Sequence, residues 1–208
     1  MVRIPESLPA RMYLLAYDLK RGRMAHCGGR LGYVLRGAAL AELYLDGRLV
    51  EERHGPRPGT PGDDPYGLVA QISASRPRSW RYWVRKDSRV MVRRVRDELA
   101  AGGWIRVLER RVLGVFPAHR VEVKDPRVVK TLWRGASSAL QGRPVAHVNS
   151  YDAAAVALAA AGELNTVLPR RERRRHRLRI SQLSARTGPA AGAVRKVIRA
   201  DHAAAAAG

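Results

Sequence analysis

The arginines are where this sequence can do chemistry, and they fall into three settings. Arg36 stands alone in an apolar stretch, LGYVLRGAALAELYL, over residues 31–45. Arg89, Arg93 and Arg96 follow at i, i+4 and i+7, a spacing that lines side chains along one helix face. Residues 170–179, RRERRRHRLR, hold seven arginines and one glutamate. A guanidinium offers its N–H donors in a planar fork that matches phosphate oxygens in pairs, where lysine offers a point charge. The chemistry on offer is anion binding, with phosphate the best geometric match.

Each setting also has a plainer reading. An arginine on a core helix can snorkel to solvent. A charged ridge is usually a solvated face, and Asp97 and Glu98 can neutralise part of the 89–96 stripe. The 170–179 run repels itself and so needs anions or water around it. Its expected outward face is Arg170, Arg173, Arg174 and Arg177, able to meet lipid head groups or nucleic acid. Arg36 near the start of its helix brings a cation close to a positive helix end, which favours an anion there.

The elements that must position these groups follow from periodicity and punctuation. Leu31, Val34, Leu35, Ala38, Ala39 and Leu43 recur at helical spacing and predict a core helix over 31–45. Residues 12–17 and 23–26 around Lys20-Arg21-Gly22 read as a small hairpin. The Pro/Gly stretch 54–65 reads as a mobile loop, and Asp64-Pro65 as the opening of a helix to about Ser75. Trp80, Trp83 and Val84 make an apolar helical face behind Ser79. Ser88 is placed to cap a helix over 89–101 that Gly102-Gly103 end. Strands are expected at 104–109 and 112–116, with 119–123 a third candidate. Asp125-Pro126 opens a helix to about Gly142, and Asn149 or Ser150 caps an Ala-rich helix over 152–163. Residues 166–179 read as helix breached at Pro169, and 189–200 as a last helix before a frayed tail, 203–208. The fold class is mainly α: a single domain, 1–208, with two or three small hairpins.

Composition narrows the partners. The net charge of +21 and pI of about 11.4 favour nucleic acid or an anionic membrane surface without choosing between them. Only five residues are lysine, leaving arginine 34 of the 39 basic positions, though a G+C-rich genome also raises arginine. Cys27 is the lone cysteine, so neither an intrachain disulfide nor a thiolate cluster is expected. No signal peptide is expected, and the most apolar run, 153–161, is too short to span a bilayer. Membrane contact would therefore be peripheral, on the cytoplasmic side.

Two blocks carry a resemblance to a known family. The first is Leu35-Arg36-Gly37, then Ala41-Glu42-Leu43-Tyr44-Leu45, then Gly47-Arg48-Leu49. The second is Val92-Arg93-Arg94-Val95-Arg96-Asp97-Glu98-Leu99, then Gly102-Gly103-Trp104-Ile105. In order and spacing they resemble the Golgi phosphoprotein 3 family, peripheral membrane proteins that bind phosphatidylinositol 4-phosphate, and the likeness runs weakly over residues 10–200. It implies that Arg36, Arg93 and Arg96 converge on a head-group phosphate; Arg89 from its own stripe, and Arg170, Arg173, Arg174 and Arg177 from their own density, are the accessory candidates. The dense patch at 170–179 is not part of the likeness. Family members carry a tryptophan where Cys27 stands, so the aromatic wall of the site is missing here. The family's hairpin, near residues 112–123 in this chain, implies self-association and membrane contact, with Phe116 either a core residue or an exposed wedge.

Enzyme signatures are missing: no phosphate-binding Gly loop, no HExxH and no nucleophile elbow. The six histidines, His26, His54, His119, His147, His176 and His202, lack metal-ligand spacing. Glu42 reads as the ion-pair partner of Arg36 or Arg48. No catalytic residue, metal or cofactor is expected. The rival function is a winged-helix nucleic-acid binder, with 89–101 as recognition helix and the following hairpin as wing. A helix-turn-helix is missing from it, and it leaves the Arg36 block unexplained.

Overall fold

Two helices with almost no polar surface occupy the middle of the molecule, and the others pack around them. The computed structural model describes all residues except 1, 26, 28, 113–115 and 143, and describes only the backbone of 109–112 and 116–119. The chain begins with helix α1 (Leu8–Leu15), hairpin strands β1 (Tyr17–Asp18) and β2 (Arg23–Met24), and the central helix α2 (Arg30–Leu45). A second hairpin, β3 (Leu49–Glu52) and β4 (Gly55–Pro58), leads to the short helices α3 (Leu68–Ser73) and α4 (Trp80–Arg85). Helix α5 (Ser88–Ala101) is followed by β5 (Ile105–Val112), β6 (Phe116–Val123) and helix α6 (Pro126–Gln141). Then come α7 (Ser150–Ala161), α8 (Arg170–Arg175), α9 (Arg177–Ala185) and α10 (Ala190–Ala207). The fold is mainly α, and among the described residues every strand pairing is antiparallel and two-stranded.

Helix α2 is the hub. Helices α1, α4, α5, α7 and α10 all pack on it, which is why it is apolar almost all round rather than striped. Two glycines set how closely its neighbours approach. A Cβ at Gly32 would collide with the backbone carbonyl of Ser88 at the head of α5, and one at Gly37 with Val194 of α10. Helix α7 is the second buried rod, with Ala153–Ala159 and Ala161 all inaccessible. Its small side chains let α2, α6, α9 and α10 lie close against it. Asn149 caps it, its side-chain oxygen accepting from the Tyr151 N–H at 2.9 Å.

The elements differ from the sequence expectation where one local signal outweighed another. Residues 12–15 are helix, not strand: Ser7 caps α1 through the Ala10 N–H and Pro9 falls in its first turn. The 54–65 stretch is not all loop, because Gly55–Pro58 pairs with β3, an edge strand where proline is tolerated. Helix α3 starts at Leu68, four residues after Asp64, yet the Asp64 carboxylate still accepts from the Leu68 and Val69 N–H groups at 2.7 Å. Asp87, in left-handed conformation at φ 53°, rather than Ser88, precedes α5.

In place of the strands expected at 104–109, 112–116 and 119–123 there are two long paired strands, β5 and β6, with Ile105 opposite Val123 through to Val112 opposite Phe116. Residues 113–115 and the side chain of Phe116 lie outside the described residues, and so do His26 and the side chain of His119. The tail is helical to Ala207, because alanine has the highest intrinsic helix propensity and sustains the helix without tertiary contacts. No helix among the described residues is long and apolar enough to cross a membrane.

Candidate anion-binding site

Arg36 does not snorkel. Its side chain is buried at 2% exposure, where α2 faces α3 and α4. Nε donates to the carbonyl oxygen of Trp83 at 3.0 Å, and a terminal amine donates to the side-chain oxygen of Gln71 at 3.3 Å. The Trp83 carbonyl is available because α4 is only six residues long, and the last four carbonyls of any helix lack an intrahelical donor. Both partners are neutral. Among the described residues no carboxylate lies within ion-pair distance of Arg36. Burial lowers its pKa to about 10, opposed by the charges of Asp87 and Asp64 and assisted by that of Arg94. The group remains a cation at neutral pH, buried at a cost and paired with neutral oxygens.

Helix α5 divides its arginines by flank. Ser88, Met91, Val95 and Leu99 face the core. Two residues apart on a helix means about 200° of rotation, so Arg94 and Arg96 emerge on opposite sides of that buried stripe. Arg94 donates to the Tyr66 carbonyl at 3.0 Å, and the Tyr66 hydroxyl donates to Glu98 one turn along the same flank. The segment from Asp64 to Gln71 therefore meets both Arg36 and Arg94. Arg96 is half-buried on the other side, bonded to its neighbour Asp97 at 2.8 Å, and its charge acts on Tyr13 of α1. Arg93 and Arg89 are exposed.

Of the α5 arginines, the one whose field acts on Arg36 is Arg94. Arg94 falls outside the i, i+4, i+7 stripe and has no role in that pattern; Asp64 reads there only as a helix opener, and Gln71, Asp87 and the Trp83 carbonyl have no part in it. Only Asp87 left a signal, an acidic residue just before the α5 run. The rest are contacts across more than twenty residues of chain.

The 170–179 run splits into α8 and α9. Arg170, Arg174 and Arg177 are exposed, with Arg171 and Arg175 beside them. Arg173 leaves that outward set: its guanidinium turns in to bond the Asn165 side chain at 2.9 Å and the Leu168 carbonyl at 2.7 Å. Leu178 stands 72% exposed among the arginines.

Two further residues differ from expectation. Glu42 pairs with neither Arg36 nor Arg48. Its carboxylate accepts from the Leu8 N–H and the Tyr151 hydroxyl, both at 3.0 Å, anchoring the first turn of α1. Arg48 bonds the Asp63 carbonyl and lies 3.6 Å from Asp46. Cys27 is buried, its thiol pKa raised by desolvation, and it presents no aromatic wall. On α4, the indole N–H groups of Trp80 and Trp83 are buried without a partner among the described residues. Such orphaned donors cost ~1–3 kcal/mol each. Among the described residues no three His, Cys, Asp or Glu side chains could hold a metal ion.

Among the described residues, ten α-helices around a buried hub, isolated antiparallel hairpins and one core cation define the class: a mainly helical protein with arginine-rich outer ridges. The family model of Golgi phosphoprotein 3 (GPP34) matches residues 8–200, and the chain belongs to that family. A search of curated proteins finds no match.

Proposed function

We propose that this protein is a non-enzymatic peripheral membrane protein that binds anionic phospholipid head groups, phosphoinositide-like, through Arg36 and the arginines of α5. The observation that carries this reading is the burial of Arg36 against neutral oxygens alone, on the fold of a family known for binding phosphatidylinositol 4-phosphate. A desolvated cation without a counter-ion is costly in a finished core and useful in a site that an anion completes. Arg93 and Arg94 extend the positive field from Arg36 to the surface, and Arg96 extends the ridge along α5. The other exposed arginines hold the protein against the cytoplasmic face of the membrane. Near an anionic leaflet each is worth roughly 1 kcal/mol.

The test is vesicle sedimentation with Arg93 and Arg96 both reversed to Glu, in protein first shown by circular dichroism to be folded. Binding to vesicles containing a phosphorylated inositol lipid is expected to be lost. Binding to duplex DNA is expected to fall only with the charge removed, since non-specific affinity follows the number of phosphate contacts. Full vesicle binding with loss of sequence-selective DNA binding would establish the winged-helix alternative. Equal, salt-sensitive losses on both partners would leave a basic surface without a specific site.

A further inference from the structure

Helix α6 carries a face that the head-group site does not use. Val128, Val129, Leu132, Ala136, Ala139 and Leu140 turn inward. On the outside stand Arg127, Lys130, Trp133 and Arg134, all exposed, with the Trp133 side chain 49% accessible. Helix α6 contains no acidic residue. Its cap, Asp125, is already engaged by Arg127 at 3.0 Å and by the Arg127 N–H at 2.9 Å. Among the described residues Lys130 and Arg134 have no carboxylate partner. At the head of the helix the ridge runs into a cleft of about 550 Å³ whose polar lining is Arg3, Trp104, Lys124, Arg127 and the Asp125 already paired with Arg127. The Arg3 guanidinium lies 5.5 Å from the centre of the Trp104 ring.

We propose that this face is an interfacial contact with an anionic bilayer, with Trp133 as its anchor and Arg127, Lys130 and Arg134 meeting the lipid phosphates. The inference rests on the membrane reading above but uses different residues. An indole with cations above and below it along one helix face is the side-chain set that settles at head-group depth, ring toward the acyl chains and charges in the polar layer. A second copy of the chain is a poor occupant, because a two-fold interface would set the unpaired cations Lys130 and Arg134 against their own copies. A single-stranded nucleic acid would use several aromatic platforms along its path, and this helix exposes one.

Intrinsic fluorescence separates the possibilities, because Trp80 and Trp83 are buried and only Trp104 and Trp133 are open to change. The protein and its Trp133→Phe variant are mixed with phosphatidylglycerol vesicles, with and without acyl-chain bromines. The wild-type emission is expected to move to shorter wavelength and to be quenched by bromine, and Trp133→Phe to lose most of both effects. Trp133→Ala is expected to weaken partitioning about tenfold with unchanged circular dichroism. Sedimentation with vesicles while Trp133 stays unshifted and unquenched would overturn the inference and leave the head-group site standing. Quenching of Trp133, together with undiminished binding of Arg93→Glu/Arg96→Glu to phosphorylated inositol lipid, would support the α6 contact and overturn the head-group site. Emission changes with nucleic acid or an acidic polypeptide but none with vesicles would overturn it in favour of that partner. No sedimentation of the wild type would overturn both.

Discussion

Arg36 and the α8–α9 patch are opposite ways of placing positive charge. The patch gathers its arginines at the surface, where water screens them, and ties down Arg173 through neutral oxygens of its own neighbourhood. Arg36 is a single buried cation on the hub helix, held by two neutral acceptors from separate helices. The patch has the higher charge density and the lower energetic stake, because each exposed guanidinium keeps its hydration. Arg36 has given its hydration up, so whatever completes its shell is felt strongly. Density therefore marks where a charged surface can drift into contact, and burial marks where a ligand can be held.

Charge reversal at Arg36 is expected to have the largest effect. A carboxylate there would face Asp87, Asp64 and the Trp83 carbonyl, so Arg36→Glu should lose ~3–5 kcal/mol or fail to fold, read as a urea midpoint. Arg36→Met should be far milder. The lowering of its pKa to about 10 represents roughly 3 kcal/mol set against the charged form. Removing the charge relieves that cost, while two lost hydrogen bonds take back about 1–3 kcal/mol. A net gain of about 0–2 kcal/mol, with vesicle binding gone, would sharpen the contrast between the regions. A loss as large as that of Arg36→Glu would make Arg36 a structural residue.

On the patch, Arg170→Glu with Arg174→Glu should leave the urea midpoint unchanged and weaken vesicle binding by about 1 kcal/mol for each charge reversed. That loss should shrink as salt is added, since exposed charges are screened.

The smallest effect is alkaline. Burial raises the Tyr13 phenol to about 12, with the charge of Arg96 lowering it in part and that of Asp97 raising it. The folded state thus keeps its proton where the unfolded chain loses it. The resulting stability is complete below pH 10 and is lost between pH 10 and about 12. Tyr13→Phe should flatten the dependence of the urea midpoint on pH in that window. Arg36, shifted downward, contributes with the opposite sign there, so Arg36→Met should steepen it.

Helices with strong internal periodicity were legible in the sequence, and elements decided by long-range partners were not. Helix α2 shows its burial in the recurrence of Leu31, Val34, Leu35, Ala38 and Leu43, and α6 in the Asp125-Pro126 opening. Helix α1 was misread because Met12 to Ala16 is a short apolar run that suits strand or helix equally, and its helicity follows from docking on α2. Strand β4 was hidden by its prolines, which local rules assign to loops and an edge position accommodates. The candidate site was legible as far as Arg36 and the α5 ridge. Arg94 was hidden because a stripe argument ranks residues within one helix, whereas its role comes from Tyr66, far along the chain and on another segment.

The most direct test is calorimetric titration of a soluble phosphorylated inositol head group into the wild-type protein and into Arg36→Met, each first shown to be folded by a cooperative urea transition. Saturable one-to-one binding by the wild type and no saturable binding by Arg36→Met is the predicted result. Equal binding by the two proteins would contradict it and reduce Arg36 to a core cation with no ligand.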